Sequence, residues 1–148
     1  MTFISGKAIT NEKQKTMAFN MITENYVSFE TAKLLKEKGF DEECDYLYVD
    51  GELVRAQGCA CNWNKGETLF ADYKNECSAP TLQLAMKWLR KKYNIHIEPR
   101  YFPMPNIYRY VIIHSPVTIE NINSHPQYFN TYEEACETAI KYCLENLI

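Results

Sequence analysis

Glycine is scarce in this chain, five residues in 148, and so dispersed that no glycine-rich loop able to cradle a phosphate can be drawn from it. Histidine is scarcer still. His96, His114 and His125 stand at no metal-ligand spacing from one another, and none pairs with a nucleophile by position. Charge of one sign is lacking too: 16 basic against 19 acidic residues leave a net charge of −3, which gives no global attraction to nucleic acid or to an anionic membrane. No apolar run approaches the roughly 20 residues of a membrane-crossing helix. The start, Met-Thr-Phe-Ile-Ser-Gly-Lys-Ala, lacks the charged head and apolar centre of a secretion signal. A cytoplasmic protein that does not engage membrane is the expectation.

What the chain does hold is apolar surface, at 46% hydrophobic residues, together with eleven tyrosines and six cysteines. That length and content suit one domain with a core of its own. Without an export signal the cysteines read as thiols rather than as staples.

Residues 1–24 show neither helical nor strand period and read as an arm that can be mobile, ahead of a single domain over 25–148. Ser28 to Gly39 has the form of a helix: Ser28 caps it, Glu30 suits its positive end, Phe29, Ala32 and Leu35 point inward, and Gly39 stops it. Tyr46 to Arg55 is a hairpin turning on Asp50-Gly51, with Val49 opposite Glu52, Tyr48 opposite Leu53, Leu47 opposite Val54 and Tyr46 opposite Arg55. Leu47, Val49 and Val54 are its expected core face, with Tyr46, Tyr48, Leu53 and Arg55 on the other. Residues 57–77 resist assignment beyond a candidate strand over 68–73.

The stretch from Ser78 to Tyr93 predicts a central helix with Ser78 as cap, Pro80 in its first turn and an apolar stripe of Leu82, Ala85, Met86, Leu89 and Tyr93. Strands follow from Ile95 and over Tyr108 to His114, parted by Pro103-Met-Pro-Asn106, with a short candidate strand at Val117 to Glu120. Alternation puts His96 on the face opposite Ile95 and Ile97. The chain closes in a helix from Thr131, where Thr131 and Glu134 form a capping box. Ala135, Cys136, Ala139, Ile140, Cys143 and Leu147 make its inward stripe, and Glu137 is spaced to pair with Lys141. The class is α+β: three helices packed on a mainly antiparallel sheet, in the order α-β-β-(β)-α-β-β-(β)-α.

Three sets of residues carry candidate chemistry. Tyr46, Tyr48, Tyr101, Phe102, Tyr108 and Tyr110 give the strands an aromatic surface of the kind that buries area on a protein partner while keeping polar tips. A covered second sheet face accounts for the same residues without any partner. Cys44, Cys59, Cys61 and Cys77 supply four thiolates that can surround zinc or serve a thiol-dependent enzyme, although one residue between Cys59 and Cys61 is not the usual knuckle spacing; small buried hydrophobes are the plainer explanation. Lys87, Arg90, Lys91 and Lys92 form a basic patch that would suit nucleic acid, or simply the negative end of a helix dipole.

From Ser78 onward the order resembles the α-β-β-β-α arrangement of double-stranded-RNA-binding domains. Those domains grip phosphate with lysines at the start of the last helix, where this chain has Thr131-Tyr-Glu-Glu134, so nucleic acid is disfavoured. The phrases from Asn25 to Phe40, Ala79 to Arg90 and Phe129 to Asn146 resemble a family of small uncharacterised proteins of gut anaerobic bacteria and their phages. That resemblance implies an accessory protein of a phage or mobile element in a bacterial cytoplasm and transfers no catalytic residue. The combined expectation is a non-enzymatic protein-binding module, a homo-oligomer being compatible with it.

Overall fold

The computed structural model describes residues 22–58, 60–65, 76–120 and 128–148. The candidate strand over 68–73, the arm up to residue 21, and Cys59 and His125 lie outside the described residues.

The first helix, α1 (Phe29–Glu37), begins where expected, with the Ser28 hydroxyl accepting from the Thr31 amide. It ends in a Schellman arrangement: Gly39, at φ +79°, donates to the Lys36 carbonyl and Phe40 to that of Leu35. Strands β1 (Tyr46–Val49) and β2 (Glu52–Arg55) pair in the register that Asp50-Gly51 dictates, Tyr46 opposite Arg55 through Val49 opposite Glu52. Both turn residues have positive φ, the geometry that matches strand twist and for which this dipeptide is favoured. A single 3-10 turn (Trp63–Lys65) precedes β3 (Glu76–Ser78), which pairs with the free edge of β1.

The expected core face of the hairpin holds: Leu47 and Val49 are buried and Val54 packs against the core. Tyr48, on the opposite face of β1, the middle strand of the order β2-β1-β3, is buried as well, because the first helix covers that face. On that second face the Tyr48 ring lies against Phe29 of α1, centroids 5.4 Å apart. Its hydroxyl donates to the Val27 carbonyl at 2.8 Å.

The second helix, α2 (Leu82–Tyr93), starts later than expected. Thr81 is its cap, accepting from the Leu84 amide, whereas Ser78 belongs to β3 and its amide donates to Asn64 Oδ1 at 3.0 Å. The strand claims Ser78 first, and Pro80, with no N–H to extend a ladder, sends the chain onward into the helix. The α2 stripe also includes Trp88, 1% exposed. The extra buried face exists because the connector after α1 covers it: Trp88 stacks near Phe40, centroids 5.5 Å apart, and its Nε1 donates to Asp41 Oδ1.

Strands β4 (Ile95–Phe102), β5 (Ile107–His114) and β6 (Val117–Glu120) form an antiparallel meander with β5 central. Ile95, Ile97, Tyr110 and Ile112 face inward, and His96 is exposed on the other side as alternation requires. The last helix, α3 (Tyr132–Asn146), is capped by Thr131 and packs on β4 and β5, on α1 and on α2. Its buried stripe takes Leu144, while Leu147 is only half-buried.

The class is α+β: among the described residues there are three helices, and six strands divide into two antiparallel sheets of three. The element order reads α-β-β-β twice over before α3, yet β1 is central in the first sheet and β5 in the second. The two sheets are therefore wired differently.

Candidate binding cleft among the helix starts

The beginnings of α1, α2 and α3 meet at one place. Residues 25–27 run beside 80–82: Val27 donates to the Pro80 carbonyl at 3.0 Å and Leu82 to that of Asn25 at 2.9 Å, which brings the caps of α1 and α2 together. Phe129, just ahead of α3, exchanges two backbone hydrogen bonds with Tyr108 of β5, at 2.8 and 3.0 Å. The three starts surround an open cleft of about 520 Å³.

Tyr26, Leu82 and Phe129 give its apolar walls, and Glu133, Glu134 and Glu137 line it with carboxylates. Asn25, Ser28 and Thr138 complete it, so that no basic side chain lines it among the described residues. Each helix start contributes about half a positive charge, so three starts offset roughly half of three carboxylates. The cleft keeps a negative potential, and its chemistry suits a cation carried on an apolar stem.

Glu137 organises this site. One of its oxygens accepts from the Ser28 amide at 3.1 Å, from the Ser28 hydroxyl at 2.6 Å and from the Thr31 hydroxyl at 2.6 Å. The carboxylate thus crosses from α3 to cap α1. Its second oxygen is buried without a hydrogen-bond partner. This corrects the expected pairing within α3: Lys141 reaches Glu30 of α1 at 3.3 Å instead. Of the expected capping box the hydroxyl half forms, Thr131 Oγ1 accepting from the Glu134 amide at 3.1 Å, whereas the Glu134 carboxylate takes the Asn130 amide at 3.1 Å, one residue ahead of the cap.

The six aromatic residues singled out in the sequence do not share one surface. Tyr46 packs on Tyr26, centroids 4.5 Å apart, while Tyr48 and Tyr110 are buried, Tyr110 against Phe129. Burial raises the hydroxyl pKa of Tyr48 and Tyr110. Tyr101 is half exposed near the β4–β5 turn, bonded to Asn106 Oδ1, and its ring meets Tyr108 at 5.1 Å. Phe102 lies under the Arg109 guanidinium, which also covers Tyr128. Tyr26 and Phe129, the aromatic walls of the cleft, were not singled out. Phe129 had a signal in its position before the capping box, but only the fold brings Tyr26 beside it.

Of the four thiols considered for zinc, Cys44 and Cys61 face each other across an antiparallel bridge. Cys77 stands on β3 opposite Tyr48, on the side where Lys33 and Lys36 act on it. Among the described residues no group of three or more histidine, cysteine, aspartate or glutamate side chains is arranged to hold a metal ion. Burial pushes the Cys44 and Cys143 thiols up to about 12 and those of Cys77 and Cys136 to about 11, which leaves them protonated and weakly nucleophilic at neutral pH. Within the basic patch, Lys92 donates to the Gly39 carbonyl at 3.2 Å and lies over the Trp88 ring, and Lys91 approaches Glu42 at 3.9 Å.

Comparison with protein-family models, with curated proteins and with solved structures finds no match to this chain.

Proposed function

We propose that the protein is a non-enzymatic protein-binding module that takes a basic side chain of its partner, together with flanking apolar groups, into the cleft among the helix starts. The carrying observation is that open cleft, with aromatic and leucine walls, three carboxylates and, among the described residues, no lining cation. A guanidinium or ammonium group finds there both opposite charge and ring faces for a cation–π contact. The buried, protonated thiols support a binding role over thiol catalysis. The sequence resemblance and the absence of any described helix long and apolar enough to cross a membrane accord with an accessory protein of phage or mobile-element type working in a bacterial cytoplasm.

Panning a display library of random peptides on the full chain tests this. The enriched peptides are expected to carry arginine or lysine beside an apolar residue. Their affinity should fall at least tenfold in Glu133→Lys, with an unchanged circular dichroism spectrum, and should weaken as salt is raised. Enriched peptides without a basic residue, or binding that Glu133→Lys leaves intact, would overturn the cleft as the site.

A further inference from the structure

The segments around Cys44 and Cys61 are held edge to edge. The Cys44 amide donates to the Cys61 carbonyl at 2.9 Å, and the Cys61 amide returns to the Cys44 carbonyl at 3.3 Å. Side chains fasten the same two segments: Trp63 Nε1 donates to the Cys44 carbonyl at 2.8 Å, Asn62 to that of Asp41 at 2.9 Å and Asn64 to that of Phe40 at 3.0 Å. Residues that exchange both hydrogen bonds stand directly opposite, side chains on one face, with Cα atoms about 5.5 Å apart. That spacing lies inside the span of about 4.4–6.8 Å that a disulfide bridges. Both residues carry thiols in this structure.

We propose that Cys44 and Cys61 are a modification site, a cross-strand thiol pair that a low-molecular-weight disulfide converts reversibly to a disulfide. Cys61, the less buried of the two, reacts first. Its thiolate attacks one sulfur of oxidised glutathione, forming a mixed disulfide and expelling one glutathione thiolate. The Cys44 sulfur, having given its proton to water, then attacks Cys61 Sγ, closing the protein disulfide and expelling the second glutathione. Two protein thiols lose two electrons, one glutathione disulfide gains them, and the two protons end on the two glutathione thiols. The closing step is the slow one, because Cys44 is 4% exposed and its thiol is pushed up by burial, against which the Ser78 hydroxyl works.

The bond so formed is labile. Directly opposed residues hold their Cβ atoms about 4.5–5.5 Å apart, whereas a disulfide draws them to about 3.8 Å, so closure must pull the two segments together. Strained disulfides are the readily reduced ones. A reducing compartment therefore keeps the pair open and an oxidative episode closes it, tying the base of the β1–β2 hairpin to the 3-10 turn.

The full chain is incubated with oxidised glutathione, its remaining thiols are alkylated, and the digest is read by mass spectrometry. The expected product is a peptide pair linked through Cys44 and Cys61, two hydrogens lighter than the reduced pair and released by dithiothreitol. Cys59→Ser should retain it and Cys61→Ser should abolish it. Alkylation of both residues under conditions that fully oxidise a free dithiol control, a glutathione adduct that persists on Cys61, or a dominant linkage through any other cysteine would each overturn the proposal.

Discussion

At the scale of single residues the buried thiols set how the protein responds to alkali. Cys44, Cys77, Cys136 and Cys143 titrate at about 11 to 12 in the fold because burial disfavours the thiolate; in an unfolded chain they titrate near roughly 8.5. Between those values the unfolded state has lost protons that the native state keeps, so stability falls as pH rises through the window and is complete below it. Each thiol contributes a slope of at most about 1.4 kcal/mol per pH unit there. Urea midpoints should be level from pH 7 to 8 and fall from pH 9 to 11. Cys143→Ala should make that fall shallower while lowering the midpoint at pH 7 by its lost packing. An unchanged slope would show that the thiol is not what titrates.

At the scale of elements, Glu137 is the most informative contact, since a side chain of α3 supplies the acceptor that the start of α1 needs. Glu137→Ala removes an acceptor shared by three donors and should destabilise by about 1–2 kcal/mol, the range of a lost helix cap. Glu137→Gln keeps an oxygen there and should lose about half as much, and chemical denaturation at pH 7 separates the two. A loss confined to Glu137→Gln would contradict the hydrogen-bond account. This contact also marks the limit of what the sequence discloses. The β1–β2 register was legible because Asp50-Gly51 imposes it locally, and the caps at Ser28 and Thr131 because each acts within one turn of its own helix. Glu137 and Ser28 are 109 positions apart, and local spacing pointed Glu137 to Lys141 instead. Thr81 displaced Ser78 as a cap for a similar reason: β3 acquires its identity only by pairing with β1, where Ser78 stands opposite Leu47. The cleft itself was hidden because Tyr26, Leu82 and Phe129 come from three separate stretches.

For the whole molecule, two separately wired sheets could have meant two independently folding halves, but the buried residues form one cluster running from Val27 to Leu144. Trp88 is one of its joints: α2 carries it, Phe40 and Asp41 from the α1–β1 connector receive it, and Tyr93 meets its edge at 5.3 Å. Trp63 reports on the first sheet, where its indole bonds the Cys44 carbonyl, and its neighbours Asn62 and Asn64 bond the carbonyls of the same Asp41 and Phe40 that receive Trp88. A shared core couples the fate of the two regions, so neither half can open without exposing apolar surface of the other. Single-tryptophan variants, Trp63→Phe and Trp88→Phe, place one fluorophore in each region. Within either variant, the fluorescence transition in urea should overlay the far-ultraviolet circular dichroism transition, with a shared midpoint and slope. Both substitutions give up ring area and an indole hydrogen bond, to Asp41 for Trp88 and to the Cys44 carbonyl for Trp63, so each should lower the urea midpoint of the whole fold. Fluorescence that runs ahead of circular dichroism in either variant would mean that one sheet melts by itself, and the cleft, built from helix starts that the common core holds in place, would then lose its walls before the fold as a whole is gone.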